Sequence, residues 1–215
     1  MYLNNAATTY PKPAAVTDAM VCSLTQLPSE SGRGHGGNDV VSRCRHQVAE
    51  FFGVRDPKHV CFAASGTDAL NTAICGSVHY GDEVVCTTFD HNSVARPLHY
   101  LESRHGVNVR RVGLENDGSL SVDRVREAFG PRTRVVILTH VSNVTGTITP
   151  LDDVAQLVAS RGFTLIVDAS QSAGLLPIDF SALSSRTIVT AAAHKGLYGP
   201  SGTGLLIVPD EFVEQ

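Results

Sequence analysis

Short runs of β-branched and apolar residues alternate with stretches of helical periodicity along most of the chain, and this alternation restricts the fold more than any other feature. VVILTH (135–140) and FTLIVDA (163–169) are almost continuously apolar, as in strands covered on both faces. Strands are expected at 60–63, 84–88, 108–112, 134–139, 163–167, 187–191 and 204–208. Helices are expected at 13–26, 39–52, 67–79, 93–105, 121–129 and 151–161. The second helix would bury Val40, Cys44, Val48 and Phe51, and the third Leu70, Ala73, Ile74 and Val78. Asp39 and Ser121 are expected N-caps, with Pro150 near the start of the last helix. The pattern predicts an α/β fold, a three-layer, doubly wound, mostly parallel sheet of seven strands. The first 38 residues carry no strand, and 28–38 (PSESGRGHGGN) is rich in glycine.

Composition removes several function classes. The 215 residues hold 17 Lys+Arg against 21 Asp+Glu, a formal net charge of −4. The longest basic run is Arg110-Arg111, so no basic stripe suits a nucleic-acid partner. Hydrophobic residues make up 42%, too many for a disordered chain. The five cysteines, Cys22, Cys44, Cys61, Cys75 and Cys86, form no C-x-x-C pair, and because most sit in apolar stretches, buried, reduced thiols are expected. The opening MYLNNAATTYPKP has no apolar signal-peptide core. Apolar runs such as 135–138 and 205–208 fall far short of the ~20 residues that span a bilayer. A cytoplasmic protein with no membrane partner is expected.

In an open α/β sheet, ligands bind beyond the carboxyl ends of the strands. The residues there are Ser65-Gly66-Thr67-Asp68, Asp90-His91-Asn92, His140 and Asn143, Asp168 and Gln171, and His194 and Lys195. Each has an ordinary reading. Ser65-Gly66-Thr67 suits a helix cap as well as an anion site. Asp168 suits a cap or a metal ligand, a lone His91 a hydrogen-bonded core residue, and a lone Lys195 the surface. Taken together they match the needs of one cofactor, pyridoxal 5'-phosphate (PLP). It requires a lysine for its Schiff base, an acid on the pyridine nitrogen, an anion loop and an aromatic ring over its face. Gly32-x-Gly34-x-x-Gly37 matches a dinucleotide fingerprint only literally, because no strand precedes it. No H-E-x-x-H occurs among the nine histidines, and no metal site is expected.

AAAHKGLYGPSGTGLL resembles the lysine motif of the class V (fold type I) aminotransferases, His-Lys-x-x-x-Gly-Pro-x-Gly. DASQSAG, HVSNVTGT, DHNSVARP and SGTDALN match other motifs of that family in the right order. YLNNAATTYPKP and GRGHGGN resemble its cysteine desulfurase and selenocysteine lyase branch. The resemblance implies that Lys195 holds PLP covalently and that Asp168 pairs with the ring nitrogen. It implies that Gln171 and Asn143 contact the phenolic oxygen and that His91 stacks on the ring and moves protons. Gly66, Thr67 and His194 would hold the phosphate, and Ala6, Ala7 and Thr8 would lie near the substrate. The implied division is 1–38, an N-terminal arm with the first helix and a glycine-rich active-site loop, and 39–215, the PLP-binding large domain.

Three departures stand out. Ala192 occupies a position that is commonly Ser or Thr, removing a hydroxyl from the phosphate site. Asn4 stands where Asp is usual. The family's small C-terminal domain, which supplies a carboxylate-binding arginine and the sulfur-accepting cysteine, is absent from these residues, and none of the five cysteines matches that acceptor. The implied activity is cleavage of the C–S bond of a cysteine-like amino acid. A transaminase, an epimerase, a selenocysteine lyase, and a non-catalytic or split-enzyme half share the same motifs. A homodimer, or association with a separate C-terminal half, is the implied assembly.

Overall fold

The computed structural model describes residues 1–25 and 40–212. The strands are β1 (Val60–Ala63), β2 (Glu83–Thr87), β3 (Asn108–Val112), β4 (Thr133–Thr139), β5 (Thr164–Asp168), β6 (Thr187–Ala192) and β7 (Gly204–Ile207). The helices are α1 (Ala14–Thr25), α2 (Val40–Phe51), α3 (Gly66–Ser77), α4 (Asn92–His105), α5 (Val122–Glu127) and α6 (Leu151–Ala159). Among the described residues the sheet runs β1-β7-β6-β5-β4-β2-β3. β3, β2, β4, β5 and β6 are parallel, and β7 runs antiparallel to both β6 and β1. The segment from β6 to β7 carries no crossover helix, so β7 returns in the opposite direction.

Alternation along the central strands creates two cores. Val84, Val135, Ile137, Ile166 and Ile188 face one side and pack with Leu70, Ile74 and Leu98 of α3 and α4. Val85, Val136, Leu138, Leu165 and Val167 face the other side with Val125, Val154 and Val158 of α5 and α6. This places a helical layer on each face of the expected doubly wound sheet. The stripe expected on α3 is buried as read. That on α2 is not: Val40 and Phe51 are exposed, and the helix buries Ala49 instead. The buried-thiol expectation is also corrected, because Cys22, Cys44, Cys61 and Cys75 are exposed and Cys86 alone is buried. Burial, with Asp90 nearby, pushes the Cys86 thiol up to about 12. Ser121 caps α5 through the Arg124 amide, and Pro150 stands at the N-cap of α6. Asp39 and the glycine-rich loop lie outside the described residues. No helix among those described is long and apolar enough to cross a membrane.

At the end of the sheet where the parallel strands begin, Glu83 is 2% exposed and ties three strands together. It accepts from Thr133 Oγ1 at 2.5 Å, Asn108 Nδ2 at 3.0 Å and Arg110 Nη2 at 2.9 Å. Burial raises its affinity for a proton, but the Thr133, Arg110 and Asn108 donors outweigh that and hold it below the usual carboxylate range. A carboxyl depressed in this way stabilises the fold above its unfolded value of about 4.3, and the contribution is lost as pH falls through the lower folded value. Glu83→Gln turns an amide NH₂ toward these donors and should cost about 2 kcal/mol at pH 7. In urea titrations the deficit should shrink below about pH 4. A deficit independent of pH would contradict this account.

Candidate functional site

Helix α3 begins immediately after β1, and Ser65 caps it by accepting the Asp68 amide at 3.1 Å. Asp68 in turn accepts the Ala64 amide at 3.0 Å. The helical ladder opens with the Ala69 amide on the Ser65 carbonyl, so the Gly66 and Thr67 amides lie before its first bond. Packing leaves no room for a side chain here. A Cβ on Gly66 would sit 3.0 Å from Ala192 Cβ and 3.1 Å from Ser170 Oγ. Across the sheet, a Cβ on Gly204 would sit 2.2 Å from the Ser65 carbonyl oxygen.

His91 is the N-cap of α4, with Nδ1 accepting the Ser93 amide at 3.1 Å. Ser93 Oγ lies 2.8 Å from that nitrogen and 2.7 Å from Thr67 Oγ1, linking the starts of α3 and α4. With Nδ1 engaged as an acceptor, the neutral ring carries its proton on Nε2. The turn bearing His91 is secured by its neighbour Asp90. Its two oxygens accept from the Thr87 amide at 2.6 Å and Thr139 Oγ1 at 2.5 Å. Burial pushes Asp90 up to about 6 despite these donors, and Asp168 adds to the shift.

Asp168 ends β5 and is buried. Its Oδ1 accepts the Ser170 amide at 2.9 Å. Lys195 follows β6 in a turn pressed against the loop after Asp168. A Cβ on Gly174 would fall 2.4 Å from the Gly196 carbonyl oxygen, and one on Gly196 would fall 2.4 Å from that of Ala173. Gly174 also needs its φ of +85°, so these glycines permit backbone-to-backbone contact between two motifs. The N-terminal arm locks the same turn. The His194 carbonyl accepts from Thr8 Oγ1 (3.0 Å), Thr9 Oγ1 (3.1 Å), the Thr9 amide (3.2 Å) and Lys12 Nζ (2.7 Å). Gln171 Nε2 donates to the Ala6 carbonyl at 2.8 Å. Burial pulls the Lys195 ammonium below the usual lysine range, with Asp168 opposing. Burial, then the Lys195 and Lys12 charges, lower His194 in the same direction.

These groups border a cleft of about 430 Å³. It brings together Ala6 and Ala7 from the arm, Gly66 and Thr67 from α3, His91 from α4, Asn143 after β4, Asp168 and Gln171 after β5, and His194 and Lys195 after β6. Thr8 does not line it, having turned its hydroxyl onto the His194 carbonyl. His140 is buried away from it, with Nδ1 unpartnered among the described residues. Ser93, Thr139 and Ser170 line it too, although the sequence reading passed over them. Alternation offered a signal for Ser170, two residues beyond Asp168. For Ser93 and Thr139 there was none, because strand and cap positions commonly carry hydroxyls for local bonding alone.

Asp90 provides a test of this geometry. Its folded pKa of about 6 lies above the unfolded value of about 3.9. Its stabilisation is therefore complete below about pH 3.9 and lost as pH rises through about 6. An Asp90→Asn side chain keeps both bonds if the Thr139 hydroxyl rotates to accept. Its stability relative to wild type should therefore improve by about 2 kcal/mol between pH 4 and 7. Urea denaturation at stepped pH measures this, and a flat difference would refute the assignment.

The sequence profile of the Aminotransferase class-V family matches residues 1–215. A cysteine desulfurase of Cereibacter sphaeroides is 32% identical over 213 residues, covering 96% of this chain and 54% of that protein. Among solved structures, the apo cysteine desulfurase of Thermococcus onnurineus NA1 has a TM-score of 0.89 at 25% identity, covering 100% of this chain and 55% of that one. A C-DES mutant with glycine covalently linked to its PLP cofactor has a TM-score of 0.86 at 25% identity, covering 99% and 57%. The chain spans about half the length of the curated relatives it matches. With a profile that runs its full length and a fold shared with these structures, the chain belongs to the class-V aminotransferase family.

Proposed function

We propose that this chain forms the cofactor-binding part of a PLP-dependent cysteine desulfurase acting on a cysteine-like amino acid. One observation carries the reading: a lysine, a buried carboxylate and an anion cradle open into one cleft. The desulfurase relatives favour it over transamination or epimerisation.

The residues fit the cofactor. His194 Nδ1 is buried without a hydrogen-bond partner among the described residues. It shares the cleft with the open amides of Gly66 and Thr67, at the positive end of the α3 dipole. A phosphate group would satisfy all three donors. Asp168 Oδ1 is engaged by the Ser170 amide, which leaves Oδ2 for the pyridine nitrogen. Asn143 and the second amide hydrogen of Gln171 would serve the phenolic oxygen, and His91 would lie against the ring.

Bound there, PLP supplies an electrophilic carbonyl for an amine and a protonated ring that draws negative charge away from the amino-acid Cα. Lys195 provides the covalent tether through Nζ. Its lowered pKa enlarges the fraction of neutral, nucleophilic amine near pH 7. With the cofactor bound, the same Nζ would be the group placed to take the proton from the amino-acid Cα. Asp168 keeps the proton on the ring nitrogen. The arm carrying Ala6 and Ala7 borders the amino-acid side of the cleft, held there by Gln171.

Two measurements test the reading. Protein incubated with PLP should acquire visible absorption that borohydride fixes to Lys195, and Lys195→Ala should abolish it. Asp168→Asn should retain some cofactor yet slow deuterium exchange at the amino-acid Cα by about 10²–10³-fold. Unchanged absorption in the first variant, or wild-type exchange in the second, would remove the basis of the proposal.

A further inference from the structure

We infer that Ser170 is a phosphate-binding residue, donating its hydroxyl to the phosphate of PLP beside the first turn of α3. The inference rests on the cofactor reading above. Ser170 is 9% exposed and lines the cleft. Its amide is committed to Asp168, but its hydroxyl makes no hydrogen bond to any described residue. The residue is packed in while its Oγ remains open to the cleft, so the hydroxyl is free to donate to a group bound there.

Its position identifies which part of the ligand. Ser170 Oγ and Ala192 Cβ both crowd Gly66 Cα on the side where a Cβ would project. They stand two residues beyond Asp168 and Thr190, which are partners in the β5–β6 register. The floor of the cradle is thus built from adjacent strand ends, one bringing a hydroxyl and the other a methyl. Ala192 offers no donor where the lysine motif commonly has one. Ser170 places a hydroxyl against the same glycine, reached from the neighbouring strand, and so compensates for that loss. Ring and substrate contacts fall to Asp168, Gln171 and the arm, so the hydroxyl serves the anion.

The test compares PLP with pyridoxal, which lacks the phosphate. Cofactor-free protein is titrated with each aldehyde and followed by absorption, as wild type, Ser170→Ala and Ser170→Ala/Ala192→Ser. Ser170→Ala should weaken PLP about tenfold or more, the loss of one hydrogen bond to a charged acceptor, and leave pyridoxal within about twofold. The double variant should recover most of the PLP affinity, because its hydroxyl re-enters the cradle from β6. Inorganic phosphate should raise the melting temperature of wild type more than that of Ser170→Ala. Equal losses for PLP and pyridoxal, or none, in a variant that melts like wild type without ligand would overturn the role of Ser170 alone. A wild type that binds neither aldehyde, or holds pyridoxal as tightly as PLP, would overturn the cofactor reading and this inference with it.

Discussion

The carbonyl oxygen of His194 gathers four donors from the N-terminal arm and ties that arm to the turn that carries Lys195. Two hydroxyls, an amide and an ammonium from Thr8, Thr9 and Lys12 converge on it. A carbonyl has two lone pairs, so these donors share them, and the arm is held by a cluster rather than by one strong bond. The peptide so gripped is the one that leads into Lys195. Without the cluster, the first dozen residues would have little to hold them, since α1 buries none of its own side chains in the described residues. The arm and the turn of Lys195 are therefore positioned by the same contact.

Backbone proximity completes the arrangement. The Gly174–Gly196 contact fixes the distance between the loop after Asp168 and the turn of Lys195, while Gly66 and Gly204 let α3 settle onto β6 and β7. In each case a missing Cβ lets backbone segments approach closely enough for polar groups near them to border one cleft. The carboxylates Asp90 and Glu83 play a complementary part at opposite ends of the sheet, each joining β2 to β4 through a threonine hydroxyl.

Much of this was legible in the sequence where one physical cause dominated. Strands buried on both faces must be continuously apolar, and the observed boundaries lie within a residue or so of those read from VVILTH and FTLIVDA. That the polar residues beyond the strand ends would border one cleft was legible because parallel topology gathers them at one edge. The errors arose where burial depends on what lies outside a segment. Cys61 and Cys75 sit among apolar neighbours but are exposed, on the edge strand β1 and on α3, and Cys44, on the stripe read for α2, is exposed as well. The direction of β7 was left open by its apolar run and is set by the connection before it, which has no crossover helix. Ser170 was passed over because its significance depends on Ala192 and Gly66, residues remote in sequence that only the packed strands bring alongside.

The position of β7 has a consequence for the order of assembly. β1, the strand that leads into α3, lies at the sheet edge and pairs with β7 alone among the described strands. The register joins Val60 to Ile207 and Ala63 to Gly204, so β1 waits for a segment made some 140 residues later. Contacts this distant in sequence form late, after the local βαβ units have condensed. On the ribosome, β2 to β6 can pair as they emerge, while β1 has no strand partner until β7 slides between β1 and β6. The Ser65 side of the turn into α3, which packs against Gly204, is thus among the last parts of the molecule to acquire its shape, and the cleft it borders is complete only when the sheet closes.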